Sequence, residues 1–271
     1  MAPLPRLTYV GHATVLIEAA GVRVLTDPVL TDRIGFLRRV VPRPDPADHR
    51  GVDVVLLSHL HHDHLHLPSL RRVGELGHQA RVLAPRGSAP FLARRGVTDV
   101  VEVVPGDVVV HGPVTFRVTP AAHDDRRWPL RGPRADPVGF LVEAQGTSTY
   151  FAGDTDLFPE MDELCPDVAL LPVWGWGTGV GVGHLDPQRA AEALVRLGSA
   201  YAVPIHWGTF FPHQLQRLVP RLVRHLEHPP HEFAERARAL GASARVVVAE
   251  PGSRVGLVEP DAEVGAPPRV A

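Results

Sequence analysis

The sequence predicts an α+β protein in which sheets are covered by helices. Three observations carry this. Short β-branched runs outnumber helical stretches, several runs pair as hairpins around glycine-containing turns, and others alternate with helical segments as crossovers. Residues 7–10, 14–18 and 22–26, split by Gly11 and Gly21, read as an antiparallel meander. From 27 to 50 the pattern breaks around Pro28, Pro42, Pro44 and Pro46, giving a long loop. Its apolar stretch 34–41 suits a lid, a dimer contact or a lipid-facing surface. Residues 53–58 (DVVLLS) form a continuous apolar strand fit for burial on both faces.

Residues 67–76 have helical spacing with Pro68 near the start. A strand at 81–84, a helix at 88–95 closed by Gly96, and a strand at 99–103 follow. Residues 108–110 and 114–119 make a hairpin, and 124–136 a polar, Arg-rich loop. A second hairpin joins 138–143 to 147–152 across Gln145-Gly146. The second half repeats strand plus helix: 168–171, then 187–197 after Asp186 as N-cap with Pro187 at N1, then 202–205. Helices at 213–227 and 231–240 are separated by Pro229-Pro230, and 244–249 and 254–258 are closing strands. Residues 1–260 are expected to form a single domain, with 261–271 a frayed tail.

The chain has 271 residues, 44% hydrophobic and 21% charged, enough for one sizeable core. A net charge of −2 excludes nucleic-acid binding by bulk charge. One cysteine, Cys165, excludes an intrachain disulfide framework. No apolar run is long enough to span a bilayer, and the start lacks a basic flank followed by an apolar core, so a cytoplasmic protein is expected. All 28 basic residues are arginine. The 16 histidines raise the question of whether they are scattered or placed.

Some are placed. His59-Leu60-His61-His62-Asp63-His64 directly follows the 53–58 strand. At a strand end, residues i and i+2 point the same way, so His59 and His61 grip one ion together. Asp63 and His64, in the turn that follows, face a second. Imidazole nitrogen and carboxylate oxygen are donors that zinc and similar divalent ions accept. Three more donors end apolar strands: His123 in PAAHDD, Asp154 in FAGDTD and His206 in VPIHWGTF. A carboxylate such as Asp154 can bridge two ions about 3.5–4 Å apart.

HxHxDH, a later His, an Asp in GDT and a late His in PIHWGTF resemble the metallo-β-lactamase fold superfamily. GHATVLIEAAGVRVLTDP, SHLHHDHL, YFAGDTD, GHLDP and IHWGTF resemble one branch of it, which includes the N-acylphosphatidylethanolamine-hydrolysing phospholipase D and ascorbate-6-phosphate lactonase groups. The resemblance covers about residues 7 to 215. It implies a four-layer αββα sandwich with a dinuclear site at its edge. It assigns His59, His61 and His123 to one metal, and Asp63, His64 and His206 to the other, with Asp154 bridging. Asp27 in LTDP props the HxHxDH loop from behind, and His12 in GHAT hydrogen-bonds near the site. His184 in GVGHLDP lies near the substrate without being a ligand.

Two divalent ions acidify a shared water, and a metal-bridging hydroxide then attacks a carbonyl or phosphorus. Asp63 holds the water and shuttles its proton, and His184 polarises the substrate or donates a proton. Zinc is the first candidate metal, with manganese, iron or nickel also compatible. Arg126 and Arg127, with Arg131 and Arg134, point to a small anionic substrate, since guanidinium forks match phosphate and carboxylate. Trp174 and Trp176, on the Gly-rich loop, are placed to wall the pocket. The leading expectation is a hydrolase of a phosphodiester or a lactone-like ester. A nuclease of the same fold lacks a basic balance. A mononuclear iron redox enzyme is opposed by retention of Asp63, His64 and His206, and a non-catalytic metal-binding protein by the complete donor set. Oligomeric state is not legible.

Overall fold

The computed structural model describes residues 2–75, 79–127, 133–174, 183–212 and 224–257. The strands are β1 (Arg6–Gly11), β2 (Thr14–Ala19), β3 (Val22–Thr26), β4 (Arg33–Ile34), β5 (Leu37–Arg39), β6 (Val54–Leu56), β7 (Arg81–Pro85), β8 (Val100–Val103) and β9 (Val108–His111). They continue as β10 (Val114–Pro120), β11 (Val138–Ala144), β12 (Thr147–Phe151), β13 (Val168–Pro172), β14 (Tyr201–Ile205), β15 (Phe210–Pro212), β16 (Arg245–Val246) and β17 (Ser253–Val255). The helices are α1 (Leu67–Glu75), α2 (Ala89–Ala93), α3 (Pro187–Leu197) and α4 (Arg224–Ala239).

Two seven-stranded sheets, β17-β1-β2-β3-β6-β7-β8 and β16-β14-β13-β12-β11-β10-β9, pack face to face. Period-two alternation sorts the side chains. In β6, Val54 and Leu56 enter the core between the sheets, while Val55 joins Leu70, Val73, Phe91 and Leu92 on the outer side, under α1 and α2. α3 and α4 cover the other sheet, through contacts to β13 and β14. The result is the expected four-layer αββα sandwich. α3 begins as the sequence implies: Asp186 accepts from Arg189 N–H at 2.8 Å, Pro187 opens the first turn, and Gly198 closes the helix at φ 62°.

Three expectations give way. The 27–50 stretch is not all loop. Its 33–39 hairpin pairs with β15 into a third, three-stranded sheet, Ile34 packs on Val29 and Phe210, and Phe36 at the tip stays 78% exposed. Pro229 and Pro230 lie inside α4 rather than between two helices. Proline's fixed φ is itself helical. Both rings also fall on the buried stripe that holds Leu226, Phe233 and Ala237, so packing outweighs the lost N–H groups. The 244–249 run is paired only at β16, because the chain there leaves the edge of one sheet for β17 at the edge of the other. The rest of the 213–227 helix and the 261–271 tail lie outside the described residues.

β3, β6, β12 and β14 end toward one edge of the sandwich. The sheets are tied together there: Val138 N–H donates to Ser58 O at 2.9 Å, and His206 N–H to His12 O at 2.7 Å. Gly153 lets the GDT turn close on the other sheet. A Cβ there would sit 2.4 Å from Ser58 Cβ, and its φ of 61° disfavours any side chain.

Candidate metal centre

Every donor singled out in the sequence lies on this edge, at or just past a strand end. His59, His61 and His123 present ligand atoms within 4.8 Å of one another, and so do Asp63, His64, His206 and His12. Asp154 lies between the two groups. Its Oδ2 is 3.2 Å from His64 Nε2 and 3.4 Å from His206 Nε2, and it also clusters with His123 and His184.

The histidines are oriented from behind. A carboxylate or carbonyl only accepts, so the ring nitrogen facing it carries the proton. His64 Nδ1 donates to Asp27 at 2.6 Å, His206 Nδ1 to Trp174 O at 2.5 Å, and His123 Nδ1 to Gly183 O at 2.6 Å. Ser58 Oγ donates to Asp27 at 2.5 Å and so accepts from His59 Nδ1 at 2.9 Å. In all four rings the Nε2 lone pair is left for the site, the arrangement metal-binding imidazoles need. Asp27 also accepts Ser58 N–H at 2.8 Å, so its carboxylate takes three hydrogen bonds at the base of the loop.

These residues fit divalent cations. The lone pairs converge in pairs: His64 Nε2 and His206 Nε2 are 3.3 Å apart, and His123 Nε2 is 3.1 Å from His61 Nδ1. His59 Nε2 and Asp154 Oδ1 are buried with no protein partner. Such groups are costly unless something satisfies them. Burial, helped by neighbouring imidazoles, holds His59 well below the usual histidine range and brings His123 down to about 4, so both stay neutral donors. Burial opposes ionisation of Asp154 and Asp63, yet the surrounding imidazoles hold both carboxyls well below the usual range. Asp154, Asp63 and Asp27 in turn draw positive charge to His64 against the cost of burial. Protons on Nε2 of both His64 and His206 would set two N–H groups head to head. A cation shared between them meets the same charge demand without that clash.

Backbone strain concentrates here. His12, Asp27 and His206 adopt φ of 57°, 29° and 63°, a region most side chains avoid and His and Asp tolerate best. His12 Nε2 lies 3.2 Å from Asp63 Oδ2, and its backbone N–H donates to Thr209 Oγ1 at 2.7 Å. Burial pushes the His12 imidazole down to about 3.

A family model for the beta-lactamase superfamily domain matches residues 22–207. The chain belongs to the metallo-β-lactamase superfamily and, within it, to the UPF0173 metal-dependent hydrolase family. It is 33% identical over 259 residues to a UPF0173 metal-dependent hydrolase of Methanopyrus kandleri, covering 91% of this chain and 97% of that one. A UPF0173 member from Opitutus terrae is also 33% identical, covering 92% and 99%. Among solved structures, a metallo hydrolase from the archaeon Ignicoccus hospitalis superposes with a TM-score of 0.70 at 26% identity, covering 93% of this chain and 97% of that one.

The residues expected as donors thus converge, but other residues expected near substrate are placed differently. His184 sits at the mouth, its side chain 26% exposed and Nε2 3.7 Å from Asp154 Oδ2. Arg127, assigned from sequence to the substrate, is turned inward: it is 7% exposed and hydrogen-bonded to the HxHxDH loop. Trp174 is buried against Phe211 and Leu226, and it is its carbonyl that faces the site. Arg126 is exposed and 3.8 Å from Asp125. Trp176 and Arg131 lie outside the described residues. Sequence reasoning missed Ser58, legible only as the residue before the motif, and Asp156, the second Asp of GDTD. Asp156 accepts from Arg189 Nε at 2.7 Å and from Gly183 N–H at 3.4 Å, tying α3 to the approach to His184.

Proposed function

We propose that this protein is a dinuclear metal-dependent hydrolase that cleaves a phosphodiester or a lactone-like ester in a small anionic substrate of the cytoplasm. The observation that carries this reading is Asp154, a buried carboxylate set between the two donor groups with Oδ1 lacking any protein partner. His59, His61 and His123 would hold one ion, and Asp63, His64 and His206 the other, with Asp154 shared. Such ions supply Lewis acidity and acidify water at neutral pH. Zinc suits the donor chemistry, as do manganese, iron and nickel.

The side chains do the rest. His12 orients Asp63 through the 3.2 Å contact, and Asp63, 18% exposed, accepts the proton of the attacking water at its other oxygen. His184, part exposed at the mouth, gives a proton from Nε2 to the departing oxygen. The sequence resemblance to phospholipase D-like and lactonase-like proteins supports phosphodiesters and lactones as the bonds to try first. Of the arginines expected at the substrate, Arg126 and Arg134 are the exposed ones among the described residues, 3.8 and 3.9 Å from Asp125, and are left for an anionic group.

Elemental mass spectrometry of the untagged protein, paired with turnover of bis(p-nitrophenyl) phosphate and a simple lactone, tests the proposal. About two metals per chain with hydrolysis of either compound is the expected result. A single iron, or full metal with no hydrolysis of either, would overturn it.

A further inference from the structure

We infer that Arg127 is a positioning residue for the metal centre: it clamps the loops after β6 and β10 together and so sets how His59, His61 and His123 meet. Arg127 lies four residues past His123, on the loop after β10. Its Nη1 donates to Leu60 O at 2.5 Å and to Leu65 O at 3.1 Å, and its Nη2 reaches His62 Nδ1 at 3.0 Å. The two carbonyls flank the stretch 61–64, which carries three of the donors. One guanidinium thus holds both ends of the ligand loop and links them to the loop bearing His123.

The clamp is built into the fold. The guanidinium lies 5.0 Å above the Phe91 ring of α2, and the residue is 7% exposed. On its own loop, Arg127 N–H donates to Pro133 O at 3.3 Å, and Ala135 N–H to Asp125 O at 3.1 Å, so its backbone is fixed as well. Burial brings the guanidinium down to about 10, still charged at neutral pH. Two carbonyl oxygens and the His62 ring nitrogen, not a carboxylate, are its hydrogen-bond partners here. A rigid planar fork spans them; the point charge of a lysine does not. Groups that orient metal ligands in this way typically change metal affinity 10- to 100-fold when removed.

This inference rests on the proposed metal-holding role of His59, His61 and His123. Chelator-stripped full-length protein is titrated with Co(II), following the visible d–d bands, for wild type, Arg127→Gln and Arg127→Lys. We expect both variants to bind Co(II) about 10- to 100-fold more weakly, with shifted bands, while far-UV circular dichroism is unchanged. Support of the fold alone would lower the melting temperature of the metal-free protein and leave the bands and affinity as in wild type. That result overturns the inference. If Arg127→Gln does not fold, Arg127→Lys decides it on the same readouts. Wild-type protein that binds no Co(II) would instead overturn the proposed function.

Discussion

Asp27 offers the most quantitative test of how the loop is held. Its Oδ2 accepts from Ser58 Oγ at 2.5 Å and from His64 Nδ1 at 2.6 Å, and its Oδ1 from Ser58 N–H at 2.8 Å. Asp27→Asn keeps the shape and opens no cavity. The least harmful amide orientation keeps oxygen at the Oδ2 position and turns the NH2 toward Ser58 N–H, donor against donor. One hydrogen bond to a charged acceptor is then lost, about 1.5–3 kcal/mol, and a buried N–H is stranded, about 1–3 kcal/mol. The sum, about 2.5–6 kcal/mol, leaves most typical domains folded and lowers Tm by on the order of 10 °C. The amide oxygen still accepts from His64 Nδ1 and Ser58 Oγ, but as a neutral acceptor on a loop pushed away at Ser58 N–H it orients His64 and His59 less firmly, so metal affinity should fall about 10- to 100-fold as well. Differential scanning calorimetry and competition against a chromogenic chelator read the two effects. A variant within about 1–2 °C and about twofold of wild type would refute the view that Asp27 orients the donors.

Gly153→Ala should be more damaging than its one added carbon suggests. The new Cβ meets Ser58 Cβ at 2.4 Å at a φ of 61°, so the GDT turn must back away from the HxHxDH loop; paired metal analysis and calorimetry should show both metal and stability lost. Asp154→Ala should lose most bound metal, whereas His184→Ala should keep its metal and lose turnover; full occupancy in Asp154→Ala would remove the bridging role. Chelation should lower Tm, since metal held at a thousandfold over its Kd contributes about 4 kcal/mol. An unchanged melting curve after verified metal removal would argue against the buried donors as its binding site.

Much of the site was legible because its signals are local. HxHxDH puts four donors in six residues after an apolar strand, and His123, Asp154 and His206 each end a strand recognisable from β-branched runs. Alternation in β6 and the cap, Pro and Gly of α3 are equally short-range. What the sequence left open depends on partners far along the chain. Nothing near Arg127 says whether its guanidinium meets solvent or the carbonyls of residues 60 and 65. The two prolines of α4 break a helix by local rules, yet burial beside Phe233 keeps them in one. Residues 34–41 look like a free loop until β15 supplies the hydrogen bonds of a sheet.

The sequence by itself determined the fold class, the strand ends and the chemical identity of the donors, because hydrophobic periodicity and motif spacing act over a few residues. Only the tertiary structure decided which ring nitrogen faces the site, which arginine is buried and where the two sheets touch. Those outcomes follow from burial and from hydrogen bonds between residues tens to hundreds of positions apart, such as Asp27 with His64 and His12 with His206. Their free energy exists only once the sandwich has closed.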